Sequence, residues 1–239
     1  MIDKEINIQT KSGVMNTFIT HPEEDGPHPL VLFLMDAPGK REELHDMARR
    51  LGSAGYYVML PNLYYRRVRE FEIQQASREE MFSHMDSLSN VMVNEDIGVL
   101  METADNDDAA RNGKVGCVGY CMSGPFAFAG AAAYPNRIAA SASFHGVRLY
   151  SDATDSPHLD ADKIKGEMYF GCAETDEYAP QEMVDALEKH LAKTEINSRV
   201  EWYPGTEHGF VFPLRAGKYH KESAERHWGR ILGMYRRCL

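Results

Sequence analysis

Residues Val115–Gly124 read V-G-C-V-G-Y-C-M-S-G. Val115–Val118 is a short apolar strand, and Ser123–Tyr134 is a run of small residues with helical character that stops before Pro135. A buried strand that passes through a tight turn straight into a helix is the repeating unit of a parallel sheet covered by helices. In this turn Gly119 and Ser123 stand two residues before and two after Cys121. Small residues at that spacing suit a turn so sharp that its backbone segments nearly touch and its central side chain is exposed. The Cys121 thiol is thereby expected at a helix N-terminus, where partial positive charge and free N–H groups favour thiolate. Cys117 lies inside the strand and reads as a small buried hydrophobe.

Outward from this stretch, short apolar runs alternate with helical patterns. Lys4–Thr10 and Val14–Thr20, separated by Lys-Ser-Gly, predict an antiparallel hairpin. Leu30–Met35 is a continuous apolar run, as in a strand buried on both faces. Further strands are expected at Tyr56–Leu60, Ala139–Phe144, Glu167–Gly171 and Ser198–Tyr203. Helices are expected at Arg41–Ala54, Ser77–Ser89, Met92–Ala104, Gln181–Lys193 and Lys221–Arg237. The expected fold is α/β: a mostly parallel sheet with helices on both faces and an N-terminal antiparallel hairpin. Without repeats or a Pro/Ser-rich linker, residues 1–239 read as one domain. Ligands of such sheets lie beyond the carboxyl ends of the strands, so the residues that follow each strand carry the functional question.

The bulk properties exclude several classes. With 43% hydrophobic and 26% charged residues, the chain has the material for a sizeable core. A net charge of -10, with Arg66, Arg67 and Arg69 as the densest basic spot, argues against nucleic-acid binding. The N-terminus has no secretory pattern and no apolar run is long enough for a bilayer, so no membrane association and a cytoplasmic location are expected. Cys117, Cys121, Cys172 and Cys238 would stay reduced there; their spacing fits neither a redox pair nor a zinc site, so no metal is expected.

Two post-strand loops supply partners for the thiol. Cys172–Pro180 (C-A-E-T-D-E-Y-A-P) holds three acids, Glu174, Asp176 and Glu177, and Pro204–Phe210 (P-G-T-E-H-G-F) holds His208. Nucleophile, acid and histidine in that chain order is the arrangement of α/β-hydrolases: histidine moves protons, the acid sets its tautomer, and the thiol attacks. The loop alone leaves open which acid serves.

From about Met15 to the C-terminus the chain resembles the dienelactone hydrolase family. The resemblance rests on G-Y-C-M-S-G at Gly119–Gly124, where most α/β-hydrolases carry serine, on Asp176 four residues before Pro180, on H-G-F at His208–Phe210, and on A-G-Y-Y-V-M-L-P-N-L-Y at Ala54–Tyr64. It implies a carboxylic ester hydrolase that opens lactones or cleaves small esters through an acyl-thiol intermediate, without a cofactor. It also implies Cys121, Asp176 and His208 as the triad, with backbone N–H groups of Met122 and Ala37 holding the oxyanion. A family glutamate that contacts the thiol is matched by Asp36, one methylene shorter. Of two family arginines that hold a substrate carboxylate, one matches Arg66 and the other falls on Phe212, leaving Arg215 as a substitute if its loop folds back. Tyr64, Tyr65, His145, Phe210 and Phe212 are further candidates for lining the pocket. Two other readings fit a low-pKa thiol: a redox sensor, and a catalytically silent hydrolase fold used for binding. Oligomeric state is not legible in a single chain.

Overall fold

The computed structural model describes residues 1–239. Its frame is one eight-stranded sheet with the strand order β1-β2-β4-β3-β5-β6-β7-β8. The strands are β1 (Ile2–Thr10), β2 (Gly13–His21), β3 (His28–Leu34), β4 (Tyr57–Pro61), β5 (Ala110–Tyr120), β6 (Ile138–Phe144), β7 (Glu167–Thr175) and β8 (Ser198–Glu207). β1 and β2 form the expected hairpin and β2 runs antiparallel to β4; β3 to β8 are parallel. The fold is α/β as the sequence predicts.

The helices are α1 (Glu42–Gly52), α2 (Arg78–Asp86), α3 (Asn90–Asp105), α4 (Gly124–Ala133), α5 (Gln181–Leu191) and α6 (Lys221–Cys238). Helix α1 buries Leu44, Met47, Ala48 and Leu51, the i, i+3, i+4, i+7 stripe seen in the sequence. It neighbours α6, where Arg50 pairs with Glu225 and lies over Trp228. Helix α4 packs on α3 and on the sheet, and nine of its ten residues are Gly, Ala or Phe, so it is buried almost all round. No helix is long and apolar enough to cross a membrane.

Three strands extend beyond their apolar runs. β5 begins five residues early, at Ala110, because its polar start pairs with His28 and Pro29 across a bulge. β7 and β8 run on to Thr175 and Glu207. Polar ladder ends carry no hydrophobic signal, so they escape a pattern-based reading. A short 3-10 segment at Pro157–Lys163 was likewise not expected.

The chain reverses direction across the sheet between β4 and β5, so the crevice between β3 and β5 is a topological switch point, the usual place for a ligand. Register then decides what meets there. Leu34 is opposite Gly119, and Tyr120 is opposite Phe144, so Cys121 emerges beside the start of the β3 loop and next to His145. Thr175 pairs with Glu207, which makes Asp176 and His208 the next residues on adjacent strands.

Candidate active site

Cys121 sits in the turn between β5 and α4 with φ +55°, left-handed backbone that costs a non-glycine residue about 1–2 kcal/mol. Neighbouring contacts hold it there. Ser123 Oγ accepts from Tyr120 N at 2.8 Å and donates to Leu34 O at 2.9 Å, tying the turn to β3. Val147 N donates to Cys121 O at 3.1 Å. A Cβ on Gly124 would lie 2.5 Å from Gly146 Cα, so the turn and the β6 loop close on each other only because both positions are glycine. The thiol remains partly exposed. Cys117 is fully buried, and burial pushes its thiol up to about 12.

Of the three loop acids, only Asp176 meets His208: its Oδ2 accepts from His208 Nδ1 at 2.7 Å. Its other oxygen accepts from Tyr178 N (2.9 Å) and Ala179 N (3.1 Å), which fixes the carboxylate. Glu174 instead accepts from Gly205 N, and Glu177 is exposed. The Asp176 bond places the proton on Nδ1 and leaves Nε2 buried without a hydrogen-bond partner. Burial pushes the imidazole pKa down, but Asp176 and the adjacent Cys121 sulfur outweigh it and raise it from 6.5 to about 9.

This shift has a sign. Because the folded pKa is the higher one, stabilisation by the charged ring is complete below pH 6.5 and lost as pH rises through about 9, a contribution of up to about 3 kcal/mol at 1.36 kcal/mol per unit. NMR titration of His208 is expected to give a pKa near 9, moving down toward or below 6.5 in Asp176→Asn. An unmoved value in that variant would contradict the assignment.

Asp36 is fully buried and is held by two guanidinium groups: Arg41 Nη1 at 2.5 Å and Arg215 Nη2 at 2.9 Å. Arg41 also bonds Glu43, whose second oxygen accepts from Leu214 N at 2.7 Å. Phe212 lies between the two arginines, with ring centroid distances of 5.3 Å to Arg41 and 4.8 Å to Arg215. This network fastens the His208 loop to the Ala37 loop. Arg215 is folded back over its own loop, with its guanidinium under Gly209, where a Cβ would lie 2.5 Å from Nη1.

A cavity of about 330 Å³ opens over the thiol, lined by Cys121, His208 and Arg215 with Ala37, Pro38, Met81, Phe82, Met85, Val147, Arg148 and Tyr178. Arg66 is not among these residues. It makes a two-pronged pair with buried Asp96, both bonds 2.8 Å, which also accepts from Tyr65, and it faces a separate cavity with Thr10, Lys11 and Glu102. Tyr64, His145, Phe210 and Phe212 are buried behind the cavity rather than lining it. The Tyr64 hydroxyl donates to Ala37 O at 2.9 Å and lies 3.1 Å from Met122 Sδ, bridging the β3 loop and the thiol turn. His145 packs against His208 at 4.8 Å between ring centroids, and burial pushes its pKa well below 6.5. No group of three or more His, Cys, Asp or Glu side chains is arranged to hold a metal ion.

Sequence reading missed the apolar wall of Met81, Phe82 and Met85, the Tyr178 ring 5.0 Å from His208, and Arg41. Met81 and Met85 stand four apart on α2, where they read as an ordinary core stripe. Arg41 had no motif to mark it.

Residues 15–239 match the model of the dienelactone hydrolase family. A Synechocystis protein provisionally named carboxymethylenebutenolidase is 26% identical over 225 residues, covering 91% of this chain and 89% of that protein. The carboxymethylenebutenolidase of Rhodococcus opacus is also 26% identical, over 92% of this chain and 85% of its own. The structure of a Klebsiella pneumoniae protein provisionally described as a dienelactone hydrolase superposes with a TM-score of 0.89 at 24% identity, covering 98% of both chains. With its matched region spanning nearly the whole sheet and every residue of the cavity, the chain belongs to the dienelactone hydrolase family and is a lactone or ester hydrolase.

Proposed function

We propose that Cys121, His208 and Asp176 hydrolyse lactones or small carboxylic esters through a thioester on Cys121, within the single domain 1–239. The observation that carries this reading is the 2.7 Å Asp176–His208 bond, made in the cavity that exposes the thiol. Cys121 Sγ, as thiolate, attacks the carbonyl carbon. The developing oxyanion is held by the N–H groups of Met122 and Ala37, which Tyr64 keeps in register; preorganised donors of this kind supply much of the rate at acyl-transfer sites. As the C–O bond breaks, His208 Nε2 gives its proton to the leaving oxygen. Water then attacks the thioester, His208 takes a proton from it, and the thiolate departs as the acid is released.

Asp36 takes no direct part in this scheme, because both its oxygens are engaged by arginines. It holds Arg215, one of the two guanidinium groups at the cavity, with Arg148, that a substrate carboxylate would meet. A cytoplasmic setting belongs to the same proposal, since a catalytic thiolate stays reduced there. The test is turnover of lactones and activated esters by wild type and Asp176→Asn. Losing the acid that sets the tautomer is expected to lower kcat by about 10⁴-fold, and an unaffected kcat would overturn the triad assignment.

A further inference from the structure

A second cavity, of about 250 Å³, adjoins the first and shares Met85, Val147 and Arg148 with it. At about 30 Å³ per water it has room for about eight, enough for a substrate branch rather than a single solvent molecule. Its remaining walls are the thiol-turn side, Met122, Pro125 and Phe126, and a polar rim of Ser89, Asn90, Ser151, Asp155 and Ser156. Arg148 stands at the junction with φ +54°, a strained conformation of the kind concentrated at functional sites, and is restrained by one exposed pair to Asp86.

Position relative to His208 decides which half of a substrate enters. The leaving oxygen must come within hydrogen-bond reach of His208 Nε2, and His208, Tyr178 and Arg215 line only the first cavity. The alcohol half therefore belongs there. The acyl half points away from His208, past Val147 and Arg148, toward Met122.

The rim chemistry indicates what it carries. Asn90 donates its amide to Asp155 O at 2.7 Å, which leaves its buried Oδ1 an unpaired acceptor. The Asp155 carboxylate is a second acceptor; the Ser89 hydroxyl accepts from Met92 N and keeps its O–H to donate, while Ser156 Oγ accepts from Ser151 N and lies 2.8 Å from His158 Nδ1. A ligand hydroxyl suits this rim, because it can donate to the buried Asn90 Oδ1, which is costly to leave unpaired, and accept from the Ser89 hydroxyl. We propose that this cavity is an acyl subsite and that the preferred substrates carry hydroxyl groups on the acyl chain. The proposal rests on the acyl-transfer reading above.

The experiment compares p-nitrophenyl esters that share one leaving group: acetate, plain acyl chains of six to eight carbons, and their ω-hydroxy counterparts. Wild type is expected to favour at least one hydroxy ester over its plain partner by about fivefold in kcat/KM, the worth of one well-placed hydrogen bond. In Asn90→Leu that ratio should fall to one or below. Asp155→Ala, at an exposed position where misfolding is not expected, should lower the same ratio. Plain chains preferred at every length, or a ratio unchanged in both variants, would overturn the subsite. If acetate is turned over while the ratios fail, only the subsite falls; if no ester is hydrolysed, the acyl-transfer reading falls with it.

Discussion

Cys121→Ala is expected to lower kcat/KM on an activated ester by about 10⁴-fold or more, with the fold intact. The size follows from how a triad works: nucleophile, base and acid act as one unit, so losing the nucleophile removes nearly all of their joint effect and leaves only what binding and the oxyanion donors supply. The fold should survive because the side chain is partly exposed and alanine keeps the Cβ that the +55° backbone already accommodates. Cys117→Ala is the control. That thiol is fully buried with its pKa pushed to about 12, so its loss should cost stability rather than rate. The same pair of variants separates hydrolysis from redox sensing: a sensor would show peroxide-dependent modification of Cys121 without ester turnover.

Gly119→Ala is expected to destabilise the protein by about 3 kcal/mol or more. The added Cβ would lie 2.0 Å from Ser123 O and 2.5 Å from Ser123 C, backbone atoms that cannot rotate away. Moving them breaks the Ser123 Oγ bonds to Tyr120 N and Leu34 O, which hold the turn to β3. Overpacking usually costs about 1–3 kcal/mol, and a clash with fixed backbone belongs at the top of that range or beyond it. For a chain of this length that is a Tm drop of about 6–12 °C, measurable by calorimetry. A Tm within about 2 °C of wild type would mean the turn is looser than its contacts indicate. Because the clash falls on the segment carrying Cys121, lost activity should accompany lost stability.

What could be read in the sequence divides along physical lines. The fold was legible because Leu30–Met35 and Val115–Val118 are apolar runs bounded by turns and the intervening helices show 3.6-residue stripes. The thiol turn was legible because its sharpness demands small residues at Gly119 and Ser123. Choosing among Glu174, Asp176 and Glu177 from the residues alone was not possible. The choice depends on the β7/β8 register, in which Thr175 meets Glu207 across an irregularity around Gly205, itself at φ +72°. That register is a property of paired backbone and leaves no periodic trace. Arg66 illustrates the opposite limit. Its position after P-N-L-Y-Y matches the family, yet Asp96, thirty residues away in the chain, holds it at a different cavity. Asp36 likewise keeps its place and charge, while Arg41 and Arg215 decide what it touches.

The proposed chemistry requires a covalent bond to one sulfur. Quenching the protein in acid during turnover of an activated ester, then measuring intact and peptide masses, is predicted to show one acyl group on the peptide carrying Cys121 and none on Cys117, Cys172 or Cys238. Full turnover with no acyl adduct at any time point, or with the adduct on another residue, would contradict it.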